Sequence, residues 1–216
     1  MEITWYGYSC FRLTERGMAT VVTDPYDHRE VGLEPLKLKA DIVTVSKDEE
    51  GHNFTAGVKG EVYRIPGPGE YEIGGVFITG VQTNASSKRG APNGMNTLFV
   101  IDYNGLTIAH LGNLQRVPNQ TEVEALGPVN IALVPVGGGD SLNAAKAAEV
   151  ISMLEPNLVI PMQYSIPGVK KNLDPISKFL KEMGLVEVAS VPSLKVTSAN
   201  TLPDETRVTV LDYPHN

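Results

Sequence analysis

Ala40-Asp41-Ile42-Val43-Thr44-Val45-Ser46-Lys47-Asp48-Glu49-Glu50-Gly51-His52 changes character half-way along. Ile42 to Val45 is a β-branched, apolar run that reads as a short strand, and the residues after Ser46 are charged until Gly51 breaks the run. The strand therefore delivers Lys47, Asp48, Glu49, Glu50 and His52 into one loop. Upstream, Met1 to Tyr6, Phe11 to Glu15 and Ala19 to Asp24 are further short strand-like runs, and downstream Val62 to Ile65, Val76 to Gln82, Thr97 to Tyr103 and Leu106 to Leu111 continue the series. Asn104-Gly105 between the last two is a hairpin signal, and antiparallel pairing is expected throughout this meander.

Beyond Leu111 helices alternate with strands. Thr121 with Glu124 three residues on has the form of a capping box, and Gly127-Pro128 stops the short helix after it. Ala144, Ala147, Ala148, Ile151 and Leu154 share one face at helical spacing between the apolar runs Ile131 to Val134 and Leu158 to Ile160, which predicts a β-α-β unit. Asp174 as N-cap, Pro175 at the first position and Gly184 at the end frame another helix. Leu194 to Thr197 and Arg207 to Leu211 close the chain as strands. The pattern is α/β: two sheets packed together and clad by helices, in one domain spanning residues 1–216.

A net charge of -7 disfavours nucleic acid and anionic membranes, which select basic surfaces. No stretch reaches membrane-spanning length, so a cytoplasmic protein is expected. Cys10 is the single cysteine, which excludes a disulfide framework and reads as a small buried hydrophobe. Gly137-Gly138-Gly139-Asp140-Ser141 reads as a turn leading to a helix cap, because no Lys-Ser or Lys-Thr pair follows to make a phosphate loop. Lys88 and Arg89, in the loop from Ser86 to Gly94, read as solvated surface.

Several segments in order carry a resemblance: Ile3-Thr4-Trp5-Tyr6-Gly7-Tyr8-Ser9-Cys10-Phe11, Thr23-Asp24-Pro25, the stretch from Ala40 to His52, Pro68-Gly69-Glu70-Tyr71-Glu72-Ile73, Asn96-Thr97-Leu98-Phe99, His110-Leu111-Gly112-Asn113 and Ile160-Pro161-Met162-Gln163-Tyr164. Together they resemble the metallo-β-lactamase superfamily, in its lactonase-like, zinc-dependent hydrolase branch. The resemblance implies a four-layer αββα sandwich and an HxHxDH loop that aims imidazoles and a carboxylate at two metal ions, which lower the pKa of a shared water. This chain departs from that pattern. Lys47 and Glu49 stand where the first two histidines belong, Gly51 replaces the aspartate, and His52 alone matches. Tyr8 takes a histidine's place, Asn113 that of the bridging aspartate, and Gln163 that of the last histidine. Thr83 to Ser86 covers a further histidine's region.

An ammonium at position 47 opposes a dication there. Lys47 is therefore expected either to act as a fixed charge inside the cleft or to form a solvated salt bridge with Glu49. The resulting expectation is a non-catalytic relative without cofactor, keeping a cleft of Tyr8, Asp24, Lys47, Asp48, Glu49, His52, His110, Asn113 and Gln163 for a small anionic ligand or a protein partner. The alternative is a divergent metal-dependent hydrolase of phosphoesters or lactones, with Asp24, Asp48, Glu49, His52 and His110 around one Mn, Mg or Zn ion. An exposed sheet edge leaves a homo-oligomer open.

Overall fold

The structure is a computed structural model that describes residues 1–84 and 95–213. Lys88 and Arg89 lie outside the described residues. The first half of the chain runs β1 (Glu2–Trp5), β2 (Phe11–Thr14), β3 (Val21–Thr23), α1 (His28–Val31), β4 (Leu38–Lys39), β5 (Ile42–Thr44), β6 (Val58–Lys59), β7 (Tyr63–Ile65), β8 (Gly69–Ile73) and β9 (Val76–Asn84). The second runs β10 (Met95–Tyr103), β11 (Leu106–His110), α2 (Gln120–Leu126), β12 (Ile131–Pro135), α3 (Ala144–Leu154), β13 (Leu158–Met162), α4 (Ile176–Glu182), β14 (Ser190–Val191), β15 (Leu194–Lys195), β16 (Arg207–Val208) and β17 (Val210–Leu211). One sheet has the order β15-β1-β2-β3-β5-β7 and the other β16-β13-β12-β11-β10-β9-β8. Small pairs β14-β17 and β4-β6 flank them.

Strand periodicity explains the layers. Ile3, Trp5, Phe11 and Leu13 alternate with half-buried polar residues and enter one apolar cluster, shared with Ile78, Leu98, Phe99, Ile101 and Ile108 of the second sheet. β3 and β5 are buried on both faces: Val21 and Ile42 join that inter-sheet core, whereas Val22 and Val43 turn outward into a second cluster with Tyr26, Val31, Leu38 and Val58. The layer over this outer face is thin, built from the single turn of α1 and the β4-β6 pair. Over the second sheet, α3 packs on β12 and on α4, burying Ala144, Ala147, Val150 and Ile151.

The meander holds only in part. β1-β2-β3 and β8-β9-β10-β11 are antiparallel, but β3-β5-β7 and β11-β12-β13-β16 are parallel. Apolar alternation carries no strand direction. What sets it is the segment between β3 and β5, long enough for a crossover through α1 and β4. The β10-β11 hairpin turns at Asn104-Gly105, with φ of 54° and 81°, as its mirror-image turn requires. The β12-α3-β13 unit forms with parallel strands, as the spacing predicts.

Two helix starts differ from expectation. The capping box of α2 belongs to Asn119 and Glu122: the Asn119 side chain accepts from Glu122 N at 2.9 Å, and Glu122 accepts from Asn119 N at 2.8 Å. Arg116 clamps the same Glu122 carboxylate through two bonds of 2.8 and 2.6 Å, while Thr121 lies inside the helix. At α4 the Asp174 side chain pairs with Lys178 at 2.7 Å and makes no cap bond, so Pro175 takes the cap position. Replacing Asn119 by Ala should therefore lower stability by about 1 kcal/mol in urea unfolding. Thr121→Ala should cost nothing, because Ala is the better helix former.

Candidate functional site

The parallel strands of both sheets end at one edge, and the loops that leave them carry the polar residues, as in other α/β sheets where sites form beyond the carboxyl ends of strands. Asp24 follows β3, Ser46 to His52 follow β5, His110 to Asn113 leave β11, and Gln163 follows β13. The turn between β1 and β2 adds Tyr8 and Ser9.

Asp24 is fully buried and left-handed, with φ of 38°. Its carboxylate accepts from Ser46 N at 2.7 Å, from the Ser46 hydroxyl, and from His52 Nδ1 at 2.8 Å. Burial pushes its pKa up, but electrostatic interaction with His110 and His52 and the hydrogen bonds from His52 and Ser46 outweigh burial and hold it below the ordinary carboxylate value. Because Asp24 takes the proton on Nδ1, neutral His52 keeps its lone pair on Nε2. His110 is fixed in the opposite sense. Its Nε2 donates to the Ser9 carbonyl at 2.9 Å, and burial, partly offset by Asp24, lowers its pKa. A neutral ring then has its lone pair on Nδ1, which is buried and has no partner among the described residues.

Asn113 is positioned by a residue that sequence reading placed only within a family-like segment. Asn96 accepts from Asn113 N at 2.8 Å and donates to Leu111 O at 3.1 Å, bridging β10 to the loop after β11. Gly112 between them has φ of 57°, and a Cβ there would come within 2.4 Å of the Ser46 Cβ. The loop is thus pressed against Ser46, and Asn113 Oδ1 is buried with no partner among the described residues. Ser9 was also missed. Its carbonyl accepts from His110 and from the Thr23 hydroxyl, and its hydroxyl accepts from Gln163 Nε2. A lone Ser in a turn gives no sequence signal for such a hub.

The remaining candidates separate into lining and surface. Tyr8 packs against His52, with ring centres 5.2 Å apart, and lies over Gly51: a Cβ on Gly51 would sit 3.0 Å from the ring. Tyr8 thus fills the room beside position 51, and burial, followed by the fields of Glu49, Asp140 and Asp24, raises its pKa and keeps the phenol neutral. The Lys47 side chain is only 7% exposed and meets Glu49 at 2.7 Å, so it is both buried and paired. Asp48 is 86% exposed, turned toward Arg64 and Asn53, and does not join the cluster. Gln163 Nε2 also donates to Gly112 O at 3.3 Å, which commits its amide to structure.

A two-ion centre does not fit these residues. Lys47 and its partner Glu49 occupy one ligand region, Tyr8 covers Gly51, and Gln163 is spoken for; among the described residues no three His, Cys, Asp or Glu side chains group to hold a metal ion. One ion is a different case. Among the described residues His110 Nδ1 and Asn113 Oδ1 are buried acceptors without partners, and an unpartnered buried polar atom is costly unless something meets it. Together with His52 Nε2 these are two nitrogens and one oxygen, donor types that zinc accepts.

A family model described as a β-lactamase superfamily domain matches residues 2–163. The chain belongs to the metallo-β-lactamase superfamily. A UPF0173 metal-dependent hydrolase of Thermoplasma acidophilum is 27% identical over 190 residues, covering 76% of this chain and 84% of the relative. A crystal structure of a candidate Zn-dependent hydrolase of the superfamily from Thermotoga maritima superposes with a TM-score of 0.78 at 34% identity, covering 97% of each chain. Igni18, a metallo hydrolase of Ignicoccus hospitalis, shares the fold at 20% identity and a TM-score of 0.64, covering 91% of this chain and 99% of its own. These relatives correct two expectations, the non-catalytic module and the absence of a cofactor, since superfamily members alike over most of the chain are named as metal-dependent hydrolases. The physical reason is that the lost ligands were given more weight than the donors that stay: Asp24, His52 and His110, already named in the single-ion alternative, and Asn113.

Asp24 is the group on which this arrangement can be tested. Asp24→Ala strands three buried donors at about 1–3 kcal/mol each, so thermal and urea unfolding should show a loss of at least about 3 kcal/mol. Asp24→Asn keeps one oxygen acceptor and should lose less.

Proposed function

We propose that the chain is a metal-dependent hydrolase of the superfamily that works with one divalent ion. The observation that carries this reading is the pair of buried, unpartnered acceptors His110 Nδ1 and Asn113 Oδ1 beside the Asp24–His52 pair. His52, His110 and Asn113 would hold the ion, with Asp24 behind His52. Two imidazoles favour zinc over magnesium, and manganese is the next candidate. Bound there, a divalent ion supplies Lewis acidity toward an ester oxygen and makes water more acidic.

The residues of the chain do the rest. Asp24 fixes the tautomer and orientation of His52, and Ser9 does the same for His110. Asn96 and Gly112 hold Asn113 in place, and the Tyr8 ring walls one side of His52 against water. Asp48, exposed on the loop, is not part of this set.

The reading is tested by stripping the protein with chelator, titrating zinc and manganese calorimetrically, and screening phosphoesters and lactones. One equivalent of metal should bind. His52→Ala and Asn113→Ala should each weaken it at least about tenfold and abolish turnover together with it. Absence of stoichiometric metal in the wild type, or undiminished affinity in His52→Ala, would overturn the proposal.

A further inference from the structure

Lys47 is a buried ammonium whose recorded partner is a surface carboxylate. Its side chain is 7% exposed, while Glu49, 2.7 Å away, is 46% exposed. The two ends of this pair have different alternatives. Lys47 cannot reach bulk water without unpacking the loop, because Ser46 beside it is tied to Asp24 and its own carbonyl accepts from Glu49 N. Glu49 can swing outward and regain hydration at little cost. A buried charge requires a counter-charge, so Lys47 always needs an anion, whereas Glu49 is a replaceable one.

The pair sits in the same turn as His52, whose N–H donates to Glu49 O at 2.7 Å. Glu49 is close enough to Tyr8 to raise the phenol's pKa, and the Tyr8 ring lies on His52. The charged groups around this corner are Glu49, Asp140 and Asp24 on the negative side, with Lys47 opposite Glu49. Before a metal ion binds, an added anion would meet net repulsion unless one of the carboxylates left. Exchange of Glu49 for a ligand of charge minus one leaves the balance unchanged, whereas a dianion or a neutral ester does not.

We infer that Lys47 is a substrate-binding residue that holds the single negative charge of a phosphodiester, with Glu49 as the internal anion that the substrate displaces. This rests on the hydrolase reading and narrows its substrate class. Ammonium-to-phosphate contact is a point-charge interaction that needs no further donors. The exchange makes and breaks only ion pairs.

The experiment uses dimethyl phosphate as a monoanionic probe, with affinity measured by ligand-observed NMR on the chelator-stripped and the zinc-loaded protein, and metal content measured in the same samples. Lys47→Gln should weaken binding at least tenfold. Glu49→Gln removes the internal competitor and should tighten binding several-fold, and the gain should vanish when Lys47→Gln is combined with it. With bis(p-nitrophenyl) phosphate, Glu49→Gln should lower KM several-fold. Unchanged or weaker binding in folded Glu49→Gln overturns the inference, even if Lys47→Gln fails to fold. Phosphate binding that follows these rules in a protein holding no metal would support Lys47 and sink the single-ion hydrolase.

Discussion

Asp24 is a carboxylate with no exposure to water, and the surrounding loops are arranged so that its charge is met. A buried ionised group is tolerated only where hydrogen bonds and opposite charges replace its hydration. Here the replacement comes from the end of β5 through Ser46 and from the loop beyond it through His52, while His110 adds its field from the other sheet. Backbone bonds reinforce the same join: Asp24 N donates to Thr44 O, Asp27 N to Glu50 O, and Phe54 N to Pro25 O. The β5 loop is therefore stitched to the β3 loop along its length, which is why a run of four charged residues can hold a fixed shape.

That stitching decides which charged side chains face inward. Lys47 and His52 lie on the buried side of the turn, Asp48 lies outside, and Glu49 sits at the boundary. The second sheet supplies the opposite wall through Asn113, held by Asn96 and pressed in by Gly112. Neither sheet carries a complete site. The parallel order of β3-β5 and of β11-β12-β13 is what brings both sets of loops to one edge.

Much of this was legible in the residues because strand periodicity, the Asn104-Gly105 turn and the ordered family-like segments are local signals. Strand direction was not, since β5 and β7 read alike whether they pair parallel or antiparallel. The start of α2 was misplaced by two residues because Thr121-Glu124 and Asn119-Glu122 have the same capping spacing, and only the Arg116 clamp distinguishes them. In the site, residue types at expected ligand positions were readable, but Ser9, Ser46 and Asn96 act through bonds to groups distant in sequence, such as Ser9 to His110 and Asn96 to Asn113. The expectation of a metal-free protein failed on the same ground: a comparison of ligand positions counts side chains removed, and cannot see lone pairs left without partners.

The departures from the superfamily's ligand pattern are coupled to one another. Gly51 leaves room that the Tyr8 ring occupies, so restoring an aspartate at 51 would bring its Cβ to 3.0 Å from the ring and require the ring to shift. Lys47 brings a positive charge to one ligand region, and Glu49, at another of the replaced positions, supplies its counter-ion. Gln163 exchanges a ring for an amide whose N–H group reaches both the Ser9 hydroxyl and Gly112 O, tying the β1-β2 turn to the loop after β11. Tyr8 with Gly51 and Lys47 with Glu49 are thus coupled replacements, and reverting one member alone would leave crowding or an unpaired charge. On the single-ion proposal, one divalent ion and the Lys47 ammonium would together supply the two centres of positive charge that the superfamily's pattern takes from two metal ions.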